Sequence, residues 1–134
     1  MRLTFRQAIE RLRTWIIQNT GYTEEQVTIN KPNYEILKEN GKNLCLYLSG
    51  FPLQEGLKPL IRQVYVKAEA REEITDTSVR QYEDVLEDAY SLTEAIRRST
   101  QKGLTLTPYE DAIEGEDQKV QNVYVVAFSY KMIL

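Results

Sequence analysis

Between residues 3 and 19 the apolar side chains Phe5, Ala8, Ile9, Leu12, Trp15 and Ile16 fall within about 120° of a helical wheel, so the pattern predicts a helix with one face in a core. Thr4 and Gln7 have capping-box spacing at its start, and Gly21 is placed to reverse the chain after it. A turn at residues 23–26 follows, and Pro32 forces the chain extended. Residues 34–37 and 44–48 flank Asn40-Gly41, a dipeptide that accepts the positive φ angles of a type I′ turn, and predict a β-hairpin. Residues 50–59 hold two glycines and two prolines and predict an irregular loop that displays Phe51, Leu53 and Leu57.

Residues 60–70 alternate Val64, Val66, Ala68 and Ala70 with Gln63, Tyr65, Lys67 and Glu69, the pattern of a half-buried strand. A second helix is predicted over residues 77–98, where Val79, Tyr82, Val85, Leu86, Ala89, Tyr90, Leu92 and Ile96 cover about 160° of the wheel. Its opposite face is acidic near the start, Arg97, Arg98 and Lys102 lie near the end, and Gly103 stops it. Residues 104–107 and 120–134 read as strands joined by a polar acidic connection at 110–118. In the last strand Tyr124, Val126, Phe128, Tyr130 and Met132 share one face, and Val123, Val125, Ala127, Ser129 and Lys131 the other. The expected fold is a single α+β domain over residues 1–134: a two-layer sandwich with a mainly antiparallel sheet of four to five strands and two main helices on one face. A ferredoxin-like split arrangement is the alternative topology.

Composition narrows the chemistry. With 134 residues and 42% hydrophobic side chains the chain can bury one core. It has no histidine and one cysteine, Cys45, which removes histidine-based triads, His-ligated metals, disulfides within the chain and two-cysteine redox pairs. The longest apolar run, Val123 through Phe128, is too short to span a bilayer, and the first fifteen residues hold no apolar signal core, so a soluble cytoplasmic product is expected. A net charge of −3 gives no general attraction for nucleic acid. Glycine-rich phosphate loops and the Gly-x-Ser-x-Gly elbow are absent.

Glu83, Asp84, Glu87 and Asp88 form two carboxylate pairs four residues apart, the only dense set of potential metal ligands. They lie on the polar arc of the second helix without a glycine-rich turn, and read as a solvated or interface face. Cys45, mid-strand and without a base, reads as a structural or merely tolerated thiol. No catalytic, metal-binding or cofactor-binding residue is expected. Charge is unevenly spread: the first twenty residues carry Arg2, Arg6, Arg11 and Arg13 against Glu10, whereas residues 69–94 carry nine acids against Arg71 and Arg80. Two oppositely charged helices can attract within one molecule, attract between neighbours, or simply face solvent. Ile17 projects from the basic side of the first wheel and suits a contact patch, as do nine tyrosines against three phenylalanines.

With these residues in view, the whole chain resembles the tail terminator (tail completion, or tail-to-head joining) proteins of long-tailed siphophages. The likeness is carried by the basic amphipathic opening helix at 5–17 and by the strand Val64-Tyr65-Val66-Lys67-Ala68-Glu69-Ala70 leading into an acidic helix. The closing strand Val123-Tyr124-Val125-Val126-Ala127-Phe128-Ser129-Tyr130 completes it. The resemblance implies a structural protein without enzyme activity or cofactor, which caps the tail tube as a ring, usually of six copies, and forms the tail side of the head–tail joint. Its implied partners are other copies of itself, the tail tube protein and the head connector or stopper protein, with DNA only in passage and no membrane. Its implied place is the virion, after assembly in the host cytoplasm. A ring needs two different complementary surfaces on each subunit. Arg6, Arg13 and Ile17 are expected to meet a neighbour's Glu83 and Glu87, while Phe51, Leu53 and Leu57 order against a tail or head partner. Glu110, Asp111, Glu114, Glu116 and Asp117 are expected to face the channel, where negative charge keeps DNA from sticking. The competing readings are another phage neck or head-completion protein, a small cytoplasmic ligand-binding α+β domain, and a carboxylate metal enzyme.

Overall fold

In the computed structural model, which describes residues 4–50, 63–73, 82–99, 105–116 and 123–133, Thr4 opens the first helix, α1 (Phe5–Asn19). Its hydroxyl accepts from the Gln7 N–H at 3.1 Å while the Gln7 side chain accepts from the Thr4 N–H at 2.9 Å, so two N–H groups at the helix start are satisfied reciprocally. At the other end the Thr20 N–H and hydroxyl both donate to the Ile16 carbonyl, and Gly21 keeps an ordinary φ. There follow β1 (Val27–Ile29), α2 (Tyr34–Asn40), β2 (Lys42–Gly50), β3 (Gln63–Glu73), α3 (Tyr82–Ser99), β4 (Thr105–Glu116) and β5 (Val123–Ile133).

The five strands form one sheet in the order β1-β2-β3-β5-β4. β1 runs parallel to β2, and the other three pairs are antiparallel. The period-two alternation in β3 and β5 sends Val66, Ala68, Ala70, Val126, Phe128, Tyr130 and Met132 to one face, where Leu44 and Leu46 of β2 join them. Against that face α1 lays Ala8, Ile9, Leu12 and Ile16, and α3 lays Ala89, Leu92 and Ile96. The fold is thus the expected two-layer α+β sandwich with two main helices on one sheet face.

Two elements differ from the sequence reading. Residues 34–48 do not make a hairpin. The Asn33 side chain accepts from the Glu35 and Ile36 N–H groups and starts a seven-residue helix, which Gly41 ends at φ 79° with its N–H on the Leu37 carbonyl. The positive φ that suggested a hairpin turn is spent on a helix stop, and β2 takes β1 as its outer neighbour. α2 sits on the second sheet face, because Asn33 donates its N–H to Asn43 and the Tyr34 ring lies 5.9 Å from the Arg71 guanidinium, both on that face.

The acidic stretch 110–116 is not a connection but the second half of β4, an edge strand. Pairing with β5 overrides the low strand propensity of Glu, Asp and Gly, and an edge tolerates both charge and Pro108. The register slips between Pro108 and Glu110 and again between Glu110 and Ile113. Glu110, Asp111, Glu114 and Glu116 therefore belong to the sheet rather than to a connecting loop, and Asp117 lies outside the described residues.

Candidate interaction surfaces

The residues singled out for contact fall into three settings. Arg6 stands exposed on α1, its Nε 3.1 Å from Glu10 one turn on, with side-chain exposures of 86% and 50%. Arg11 is likewise exposed. Glu83 and Glu87 are exposed on α3. Tyr90, expected on the apolar arc, is 63% exposed and continues the same stripe, with Glu94 a further turn along. Phe51, Leu53 and Leu57 lie outside the described residues.

Arg13 and Ile17 are not part of an open basic face. They share the flank of α1 that turns toward β1. The Arg13 Nε donates to the Val27 carbonyl at 2.9 Å and its Nη2 to the Glu24 carbonyl at 2.6 Å, and Ile17 packs, partly buried, against the core. The guanidinium thus ties α1 to the turn and strand that follow it. Arg13→Ala leaves two carbonyls without a charged donor and is expected to lower the unfolding free energy by about 2 kcal/mol, measured by urea unfolding.

Asn43 pins the same corner from the second face. Fully buried, it donates to the Gln26 carbonyl at 2.8 Å and to Thr28 Oγ1 at 3.2 Å, and accepts from the Asn33 N–H at 3.3 Å. Beside it runs a polar row across three strands: Thr28, Cys45, and Glu69 flanked by Lys67 and Arg71. Arg71 Nη1 lies 3.0 Å and Lys67 Nζ 3.4 Å from the Glu69 carboxylate, and the Tyr47 side chain hydrogen-bonds to both Cys45 and Glu69.

Burial pulls the Glu69 carboxyl up, but Arg71, Tyr47 and Lys67 outweigh it and hold the group below its ordinary pKa. Burial pushes the Cys45 thiol up, only partly offset by Tyr47 and Thr28, so the thiol stays protonated and is no nucleophile at neutral pH. Burial likewise raises the Tyr47 and Tyr130 hydroxyls. A depressed carboxyl stabilises the fold above the unfolded carboxylate pKa and loses that contribution as pH falls through the folded value. Raised thiol and phenol groups stabilise below their unfolded values and lose it as pH climbs past them, beginning near ~8.5 for the thiol. Thermal melts across pH should show a plateau with a fall on each side, and Glu69→Gln should flatten the acid side.

An open cleft of about 1000 Å³ lies beside β1, between Glu10, Arg13 and Thr14 of α1 and the start of α2 at Pro32 to Tyr34. Sequence reasoning missed both the polar row and this cleft, because each is assembled from residues far apart in the chain. The signal at hand was Lys67, Glu69 and Arg71 on the polar side of one strand.

Among the described residues no group of three or more His, Cys, Asp or Glu could hold a metal ion, and no helix is long and apolar enough to cross a membrane. Among the described residues the arrangement offers charged and hydrogen-bonding surfaces. No protein-family model matches the chain, and no curated protein matches it significantly.

Proposed function

We propose that this chain is a structural assembly protein that closes the end of a siphophage-type tail tube as a ring subunit and forms the tail side of the head–tail joint. One observation carries the reading most. α1, which carries exposed Arg6 and Arg11, stands over β1 and β2 at one end of the sheet, and α3, which carries exposed Glu83 and Glu87, stands over β3, β5 and β4 at the other. Identical subunits close a ring only through two different surfaces that fit each other, and opposite charge at opposite ends of the sheet supplies such a pair. The resemblance of the opening helix, the central strand and the closing strand to tail terminators supplies the identity of the particle. In this reading the tube protein and the head connector or stopper bind the two faces of the ring, and Phe51, Leu53 and Leu57 contact one of them. DNA passes through the centre, and the chain resides in the virion without catalysing a reaction.

Purified chain added to tail tubes that lack their terminator tests this. Binding confined to one tube end, followed by capture of filled heads, is the expected result. Capture of heads without any binding to tubes moves the chain to the head side of the neck. Failure to bind either, with a melting temperature raised by a small metabolite, supports a ligand-binding domain instead.

A further inference from the structure

Among the described residues β1 ends the sheet, and only its β2 edge is paired with another strand. The Gln26 carbonyl accepts from the Leu44 N–H and the Asn30 N–H donates to the Leu46 carbonyl, each at 2.8 Å. In a parallel pair such groups alternate, so the backbone groups of residues 26, 28 and 30 turn toward β2 and those of Val27 and Ile29 turn away. The Val27 carbonyl is taken by Arg13. The Ile29 N–H and C=O face the cleft between α1 and the start of α2. An outward pair of backbone groups at the floor of an open cleft is a template for one more strand.

Among the described residues the sheet has a second edge, β4, and edge and charge change together across the molecule. The β1 flank carries α1, with Arg6, Arg11 and Arg13 against Glu10. The β4 flank carries α3, with five acids against Arg97 and Arg98, and β4 itself adds Glu110, Asp111, Glu114 and Glu116 without any basic residue. Within β4, Glu114–Gly115–Glu116 hold unbroken register with Val126, Val125 and Tyr124, whereas the stretch from Pro108 to Ile113 is interrupted twice and Pro108 has no N–H.

From this we infer that copies join head to tail by strand addition. The Glu114–Glu116 stretch of one copy enters the cleft of the next and pairs with its β1, the Ile29 N–H and C=O each taking one backbone bond. Three residues meet three, the sheet runs on from copy to copy, and the acidic flank of one molecule lies against the basic α1 of its neighbour. The inference rests on the ring reading above and specifies the contact that builds it.

Backbone amide exchange of the full chain, followed from dilute solution to millimolar concentration or on tube-bound chain where the free protein stays monomeric, tests it. On joining, exchange at Ile29 slows at least about tenfold, while Asn30, already bonded to Leu46, changes little. Ile29→Pro removes the outward donor and spares the Asn30 bond, and Thr14→Trp crowds the cleft from an exposed helix position; each weakens joining about tenfold. Joining with Ile29 exchanging as fast as in the dilute chain overturns strand addition and leaves the ring reading standing. A chain that neither joins nor binds tube ends overturns both.

Discussion

Arg6→Glu combined with Arg11→Glu will leave the chain folded and stop it joining to its copies. Both side chains are exposed, so no packing is lost. Arg6 occupies the first turn of α1, where an acid suits the helix dipole, and the repulsion its replacement creates with Glu10 costs only about a few tenths of a kcal/mol. The electrostatic effect is far larger, since α1 changes from a net excess of basic residues to a net excess of acids and meets an acidic flank. Sedimentation should find only free subunits, and unterminated tubes should remain uncapped, at an unchanged melting temperature. Reversing Glu83 and Glu87 to lysine in a second protein should restore joining when the two are mixed, which a merely structural defect in α1 would not permit. Arg13 is the wrong residue for this purpose. It binds the Val27 and Glu24 carbonyls, so a glutamate there destabilises the fold as well as reversing the charge, and the two effects are not separated.

Leu46→Ala carries the largest expected loss of stability. Leu46 is fully buried in the middle of β2, with Ala68 of β3 opposite and α1 above the same face. Truncation removes transfer free energy and leaves a cavity that close-packed neighbours fill only partly, about 2–5 kcal/mol in all. Urea unfolding should show the midpoint drop by that amount divided by an unchanged slope. Tyr90→Ala, on the exposed stripe of α3, should shift it by less than about 0.5 kcal/mol.

These contrasts follow the same physics that made parts of the fold legible. α1, β3, α3 and β5 each bury one face over two or more repeats of their period, so the pattern of apolar positions specifies both the element and its inward side. α2 has only seven residues, too few for a helical period to outweigh a strand-like apolar run, and Asn40-Gly41 serves a helix end as well as a hairpin. β4 reads as a loop because its strand state comes from pairing with β5, not from its own Glu, Asp and Gly.

Wheels also misjudge flanks. α1 and α3 lie side by side on one sheet face, and α1 turns a flank toward β1, which covers Ile17 and engages Arg13; α3 leaves Tyr90 in solvent. Arg6, Glu83 and Glu87 were legible as exposed charges because charge alone keeps them there. The polar row from Thr28 through Cys45 to Glu69 was not, since strand register brings it together and register follows from tertiary pairing.

Electron micrographs of tails assembled with and without this protein test most directly whether it works by fitting surfaces at a tube end. Tubes of uncontrolled length that never acquire heads when the chain is missing, restored to uniform headed tails when it is supplied, are the expected result. Tails of normal length that join heads in its absence would contradict the assignment.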